Sequence, residues 1–224
     1  MSYTFLNQQD KLSSLLGDSN TGTDSMFPSA QRVKEINRGE WRFSVDALNL
    51  KEYATGTISS SQLALPSDWI QTHCLIVNNV VITNDREVSL KDYERYYNWG
   101  GSDPYYYIWE FSGTKYIKFF GSGIDGQTYL LYYFKKPTTE LSATTDVSLH
   151  PEEYREASVY YAASELMKQI SKHAQANEFI NQYAYFVQMA REKEAKSYID
   201  KEYPRPDFGD VHPQNTTDTQ GTGW

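Results

Sequence analysis

The chain is nearly free of cysteine. Its single one, Cys74, sits in an apolar run, so one chain can build neither a disulfide framework nor a four-cysteine zinc site. Basic charge is also short: 21 Lys and Arg stand against 29 Asp and Glu, a formal charge of −8. A DNA-reading surface needs clustered cations to displace counterions from phosphates, so that class of function is disfavoured. No run approaches about 18 apolar residues, which leaves no candidate membrane span. The first ten residues lack a basic stretch followed by an apolar core, so no secretory signal is expected.

Catalytic constellations are missing as well. The four histidines, His73, His150, His173 and His212, are scattered, and none has the spacing of a helical zinc pair. They read as structural or solvated. Cys74 reads as an inert thiol because of its apolar strand context. The Gly121–Gly126 turn has glycines but no lysine and no following helix, so it is not a phosphate loop. Asp103 and Asp125 could ligate calcium, but as turn residues they need no ion. Glu152, Glu153 and Glu156 could serve as acids or bases, yet at a helix start they are more simply partners of the helix dipole. No cofactor, no metal and no enzymatic activity are expected.

What the chain has is tyrosine: 19 of 224 residues, within 15% aromatics, against a modest 39% hydrophobic content. Tyrosine buries a ring while keeping a polar tip, and it is frequent at interfaces. The densest stretch is Thr128–Lys135, an aromatic strand stopped by Pro137. Pro151 and two glutamates then open a helix, in which Val159, Ala163, Leu166 and Ile170 recur at helical spacing. A second helix runs from about 174 to 200. Phe179, Tyr183, Phe186 and Ala190 form its stripe, with Glu192 and Lys196 at the stabilising i,i+4 spacing. Ser171–Ala174 is the turn between the two.

Further upstream, Phe5, Leu12, Leu15 and Leu16 mark a short amphipathic helix stopped by Gly17. A polar loop leads to Pro28, which opens a helix with Ala30, Val33, Ile36, Glu40 and Trp41 on one side. Gly39 in its middle reads either as a break or as a tolerated glycine. Residues 54–61 read as a connection. Trp69–Val77 reads as a strand, Asn78-Asn79 as a turn, and 80–83 as the return. Ser89–Tyr97 reads as one or two helical turns. Tyr105–Glu110 and Thr114–Phe119 flank Ser112-Gly113, the clearest hairpin in the chain. This gives about five strands between 62 and 135, a small antiparallel sheet or sandwich.

The expected fold is therefore α+β. A helical bundle is built from the N-terminal helices and two long C-terminal ones. An antiparallel β-sheet or sandwich is inserted, and an extended tail follows. The expected parts are 1–61 and 138–200 for the helices, 62–137 for the β insertion and 201–224 for the arm. The arm carries three prolines and three glycines among Phe208, Val211 and Trp224, the pattern of a segment that orders on a partner.

The order of these elements resembles the head–tail connector (adaptor) proteins of tailed bacteriophages. The residues that carry the resemblance are Leu65-Pro-Ser-Asp68 at the entry to the sheet and the aromatic strand Tyr129–Phe134 ending at Pro137. Pro151–Tyr154 at the helix start and the Tyr160-Tyr-Ala-Ala163 helix complete the set. The resemblance covers about 27–200. The Tyr93–Tyr107 insertion and the Pro/Thr/Gly tail depart from the family pattern.

The resemblance implies a structural virion protein of the neck, present in the host cytoplasm during assembly. It implies a homo-oligomer of twelve copies in a ring under the portal protein, which receives a further neck or tail protein. DNA passes through the lumen without sequence-specific binding. Twelve copies of a −8 chain carry about −96, which suits a conduit that does not hold DNA. The expected portal contact is the arm: Tyr203, Pro204, Arg205, Pro206, Phe208, Val211 and Trp224. The expected contact with a neighbouring subunit or tail protein is Tyr105, Tyr107, Trp109, Tyr116 and Phe119. A rival reading is a tail or baseplate module that binds surface glycans through its clustered tyrosines.

Overall fold

A computed structural model describes residues 3–18, 25–82, 87–89, 105–120 and 123–200, with side chains as far as 196. The expected turns beyond Ser89 and the arm after Asp200 lie outside the described residues.

Helix α1 spans Phe5–Leu16 and buries Phe5, Gln8, Leu12 and Leu16, one residue per turn along a single stripe. At its start, the Thr4 N–H donates to Asn7 Oδ1 at 2.8 Å. The next two amides, of Phe5 and Leu6, donate to the carbonyls of Asp146 and Thr144 at 2.7 and 3.1 Å. A loop more than a hundred residues away thus satisfies amides that a helix start leaves without partners. Gly17 ends the helix at φ 65°, a conformation glycine adopts without strain.

Helix α2 spans Ser29–Ala47 after Pro28. Glu40 lies on the buried side as expected, at 4% exposure, but Trp41 does not: it is 44% exposed. Ala30 is exposed too. The buried face runs Arg32, Glu35, Ile36, Gly39, Glu40, Phe43, Ser44 and Ala47, so polar partners inside, rather than hydropathy, choose the side. Gly39 is not a break. A Cβ there would stand 2.9 Å from the Ser158 Cα, because α2 crosses the next core helix backbone to backbone.

Leu48 turns the chain at φ 51° into β1, Lys51–Thr57. This strand replaces the first half of the connection expected at 54–61. Then come β2 Gln62–Ala64, β3 Trp69–Val77, β4 Val80–Ile82, β5 Tyr105–Phe111, β6 Thr114–Phe120 and β7 Thr128–Lys135. Among the described residues six strands, against about five expected, fall between 62 and 135, and β1 precedes them. The described strands pair antiparallel with one another, in two sheets ordered β1-β7-β3-β4 and β2-β6-β5, and Glu87 adds an isolated parallel bridge to Tyr106. Leu75, Leu131 and Tyr133 of the first sheet share one core with Leu63, Tyr106, Ile117 and Phe119 of the second. The hairpin turns Asn78-Asn79 and Ser112-Gly113 have positive φ at both residues, which matches the twist of the strands they join.

After Pro137 the chain returns to the helices. Pro151 opens a 3₁₀ turn, Glu152–Tyr154, and not the α-helix expected there. Tyr154 is buried beside Phe43, with ring centroids 6.0 Å apart, and this placement of the ring delays the helix. Helix α3 is Ala157–Gln169 and helix α4 is His173–Asp200. They run antiparallel: Tyr161 meets Tyr183 and Tyr160 meets Phe186, at 5.3 and 5.8 Å between rings. Val159, Ala163, Leu166 and Met167 pack with Phe5, Leu12 and Ile36. Phe43, Ala47, Tyr154 and Ala157 pack with Tyr183 and Ala190. Glu192 receives the Gln188 side-chain amide at 2.8 Å, in place of the expected Lys196 partner.

Candidate assembly surfaces

Histidine and carboxylate meet at one sealed place in the helical half. Glu40 accepts from Gln8 Nε2 at 2.8 Å through Oε1 and from the Ser148 hydroxyl through Oε2. His150 Nε2 lies 3.0 Å from the Glu40 carbonyl oxygen and 3.6 Å from Oε2, and its Nδ1 lies 3.1 Å from the Asn49 side-chain amide. Gln8 also donates to the Arg155 carbonyl at 3.0 Å, and Arg155 Nε donates to the His150 carbonyl at 2.9 Å. Burial holds the imidazole below the ordinary histidine range, with Glu40 pulling the other way. At 1% exposure His150 is out of reach of any dissolved molecule. The cluster works as a fastener joining α1, α2 and the approach to α3.

The other candidate acids and bases have structural partners. Glu153 is held below the usual carboxylate range by its hydrogen bond from Lys193. Glu156 pairs with Lys11 at 3.4 Å, and Asp125 accepts from the Ser61 backbone N–H. Burial raises the Cys74 thiol above its usual range. His73 lies 5.2 Å from the Phe134 ring, and His173 is exposed. Asp103 and His212 fall outside the described residues. Among the described residues no three His, Cys, Asp or Glu side chains gather as a metal site.

The sheets carry the aromatic surfaces. On the β5–β6 hairpin, Trp109 pairs across the strands with Tyr116, their rings 5.6 Å apart, and Phe111 lies 5.7 Å from Trp109. Phe111 is 63% exposed, whereas Phe119 is 3% exposed and packs 6.3 Å from Tyr106 inside the core. Tyr107 is also buried, stacked on Phe120 at 5.2 Å, and Tyr105 is half-buried. Of the five hairpin residues singled out in the sequence, Tyr105, Trp109 and Tyr116 are half-buried, and Tyr107 and Phe119 belong to the chain's own core. Phe111 goes unnoticed in the sequence because the apolar run seems to stop at Glu110. Its alternation with Trp109 was the available signal.

The four-stranded sheet has a second surface, which becomes visible only through its register. Opposed residues share a face. Lys51 faces Phe134, Tyr53 faces Tyr132, and Thr55 faces Leu130. Across β3 the rows continue from Tyr132 to Cys74 and from Leu130 to Ile76, and then from Ile76 to Val81. The inner face holds Leu75, Leu131 and Tyr133, so these rows form the outer face. The Tyr133 hydroxyl, buried beside Asp68, is pushed up to about 12. At the first row Lys51 covers the Phe134 ring at 5.8 Å and pairs with Glu194 of α4. The next two rows stand open: Tyr53 is 61% exposed, and Tyr132 and Val81 are exposed as well. The Tyr53 and Tyr132 rings lie 6.3 Å apart, tilted by 48°.

A comparison with protein-family models matches residues 4–206 to the SU10 adaptor protein family. The chain belongs to that family. It is thereby a phage adaptor protein of structural type, and the match takes in every described helix and strand. No curated protein matches the chain. Among the described residues of this adaptor, no helix is long and apolar enough to cross a membrane. The arm residues Tyr203, Pro204, Arg205, Pro206, Phe208, Val211 and Trp224 lie outside the described residues, although the family match runs on to residue 206.

Proposed function

We propose that this adaptor is a head–tail connector: a ring, twelve copies around, that sits beneath the portal, receives the tail and forms part of the DNA conduit. The family match over residues 4–206 carries this reading. The surface chemistry supports it. A closed ring needs two different patches on each copy, since its contacts run head to tail. The chain exposes Phe111 beside Trp109 on the β5–β6 hairpin and, separately, Trp41 on α2. Its fastened helical half gives those patches a rigid mount. A formal charge of −8 per copy favours release of passing DNA over retention.

The test is to mix the full chain with its cognate portal ring and to measure mass by light scattering and shape by electron microscopy. A collar of adaptor copies under the portal is the expected result. A monomer that ignores the portal and binds a surface glycan saturably would overturn the reading in favour of a glycan-binding tail module. Deleting 204–224 should weaken portal attachment while leaving the melting transition of the remainder in place. Normal attachment of the truncated chain would take the portal role away from the arm.

A further inference from the structure

The open rows of the four-stranded sheet have an occupant of matching chemistry close by in the same chain. Helix α4 is pinned at the covered row: Glu194 pairs with Lys51, and Arg191 Nε donates to the Asp46 carbonyl at 2.6 Å. Six helical residues separate Glu194 from Asp200, about 9 Å. Tyr53 is two residues along β1 from Lys51, about 7 Å. Pro206 follows Asp200 by six residues, up to about 20 Å of extended chain. Measured along β1, that length exceeds the roughly 16 Å between Asp200 and the Tyr53 row even if α4 ends pointing away from it.

We propose that the root of the C-terminal arm, Tyr203-Pro-Arg-Pro206, seats on its own chain's sheet, across the tilted ring pair of Tyr53 and Tyr132. Two of its four residues lack an N–H, so beside β1 the segment could offer only the Tyr203 and Arg205 amides, a poor further strand. Proline-rich segments instead dock by their rings on aromatic surfaces, in a conformation they already favour when free. Tyr53 and Tyr132 supply two rings, and Leu130, Ile76 and Val81 extend the apolar floor. The family match ends at residue 206, so the root belongs to the matched unit and the residues beyond it do not. Docking on the same chain also has an entropic advantage, because a short tether holds the root at an effective concentration of order millimolar. The seated root leaves Phe208 to Trp224 for the portal contact proposed above, and it holds for the isolated chain without a portal.

The test uses the one native thiol. Cys74 lies beside Tyr132 in the same row. In the full chain carrying Asp207→Cys, with no portal present, the rate of intrachain disulfide formation with Cys74 is followed by peptide mass mapping. Oxidation is carried out at about pH 9, since burial raises the Cys74 thiol. Adding Tyr53→Ser and Tyr132→Ser should slow this bond about tenfold, although it uncovers Cys74. Adding Pro204→Gly and Pro206→Gly instead should slow it similarly, and those changes cannot unfold the sheet. Far-UV circular dichroism and melting should be unchanged in both. An intrachain rate indifferent to both pairs overturns the proposal. So does a disulfide found between chains, which would make a second copy the occupant.

Discussion

The helical half buries Gln8, Arg32, Glu35, Glu40 and His150, while the sheets bury Thr72 and otherwise apolar or tyrosine side chains, and leave Tyr53, Val81, Phe111 and Tyr132 at the surface. Each half breaks the usual sorting of polar and apolar residues: the helices mainly by what they bury, although Leu6, Trp41 and Tyr185 are exposed, and the sheets by what they expose. In the helices most of the buried polar side chains answer one another. Arg32, for example, donates to the Phe27 carbonyl at 3.0 Å and to Ser13 Oγ at 2.9 Å, and pairs with Asp18. Such networks specify one arrangement of the elements they join. In the sheets the exposed rings stand outside the chain's core, as surfaces that serve contact do. One half fixes geometry, and the other presents it.

The largest test of that contrast is Glu40→Ala. It strips the acceptor from Gln8 and Ser148 and leaves His150 facing a void. Removing one member of a buried polar cluster costs about 3–5 kcal/mol, because the remaining groups stay desolvated without partners. Chemical denaturation should show a loss of that size, with the β signal and the helix signal falling together or the helices first. A loss below about 1 kcal/mol would show that the cluster relaxes to water and fastens nothing.

Gly39→Ala comes next. At an open helix position this change would stabilise by about 1 kcal/mol through propensity. Here the new Cβ would stand 2.9 Å from the Ser158 Cα and closer to its carbonyl oxygen, both of them backbone atoms that cannot swing away. Forced separation of α2 and α3 should cost about 1–3 kcal/mol instead. The sign of the change in thermal midpoint decides the matter. A rise would mean that the two helices do not cross at this point in solution.

Much of this was legible in the sequence, and the misses have physical causes. Periodicity located Val159, Ala163 and Leu166 on the buried side of α3, and Ser112-Gly113 fixed the β5–β6 hairpin. Strand β1 was hidden because Lys51–Thr57 is an edge strand, lightly apolar on either face. Trp41 left the buried side expected of it while Glu40 stayed, because a wheel counts hydropathy and cannot see a partner such as Gln8 thirty-two residues away. The outer face of the four-stranded sheet was hidden for a related reason. No single strand shows it, and it appears only when β1, β7, β3 and β4 are laid in register. The family resemblance read from element order agreed with the match over residues 4–206, since order survives where single motifs are weak.

The smallest expected effect on stability sharpens the comparison most, because it lies within a single hairpin. Phe111 and Phe119 stand eight residues apart on paired strands, one 63% and the other 3% exposed. Phe119→Ala removes a ring packed against Tyr106 and should cost about 3–5 kcal/mol, with part of the loss coming from the cavity it leaves. Phe111→Ser removes a ring that faces water and rests on Trp109, so stability should move by no more than about 0.5 kcal/mol. Assembly should respond in reverse. If Trp109, Phe111 and Tyr116 form a contact surface, Phe111→Ser yields a fully folded chain whose ring or tail-protein complex dissociates at least about tenfold more readily, the scale of a lost aromatic anchor. Analytical ultracentrifugation of the folded variant with portal and tail protein reads this directly. A variant that assembles like the parent would leave the exposed ring without a role and remove this end of the hairpin from the contact.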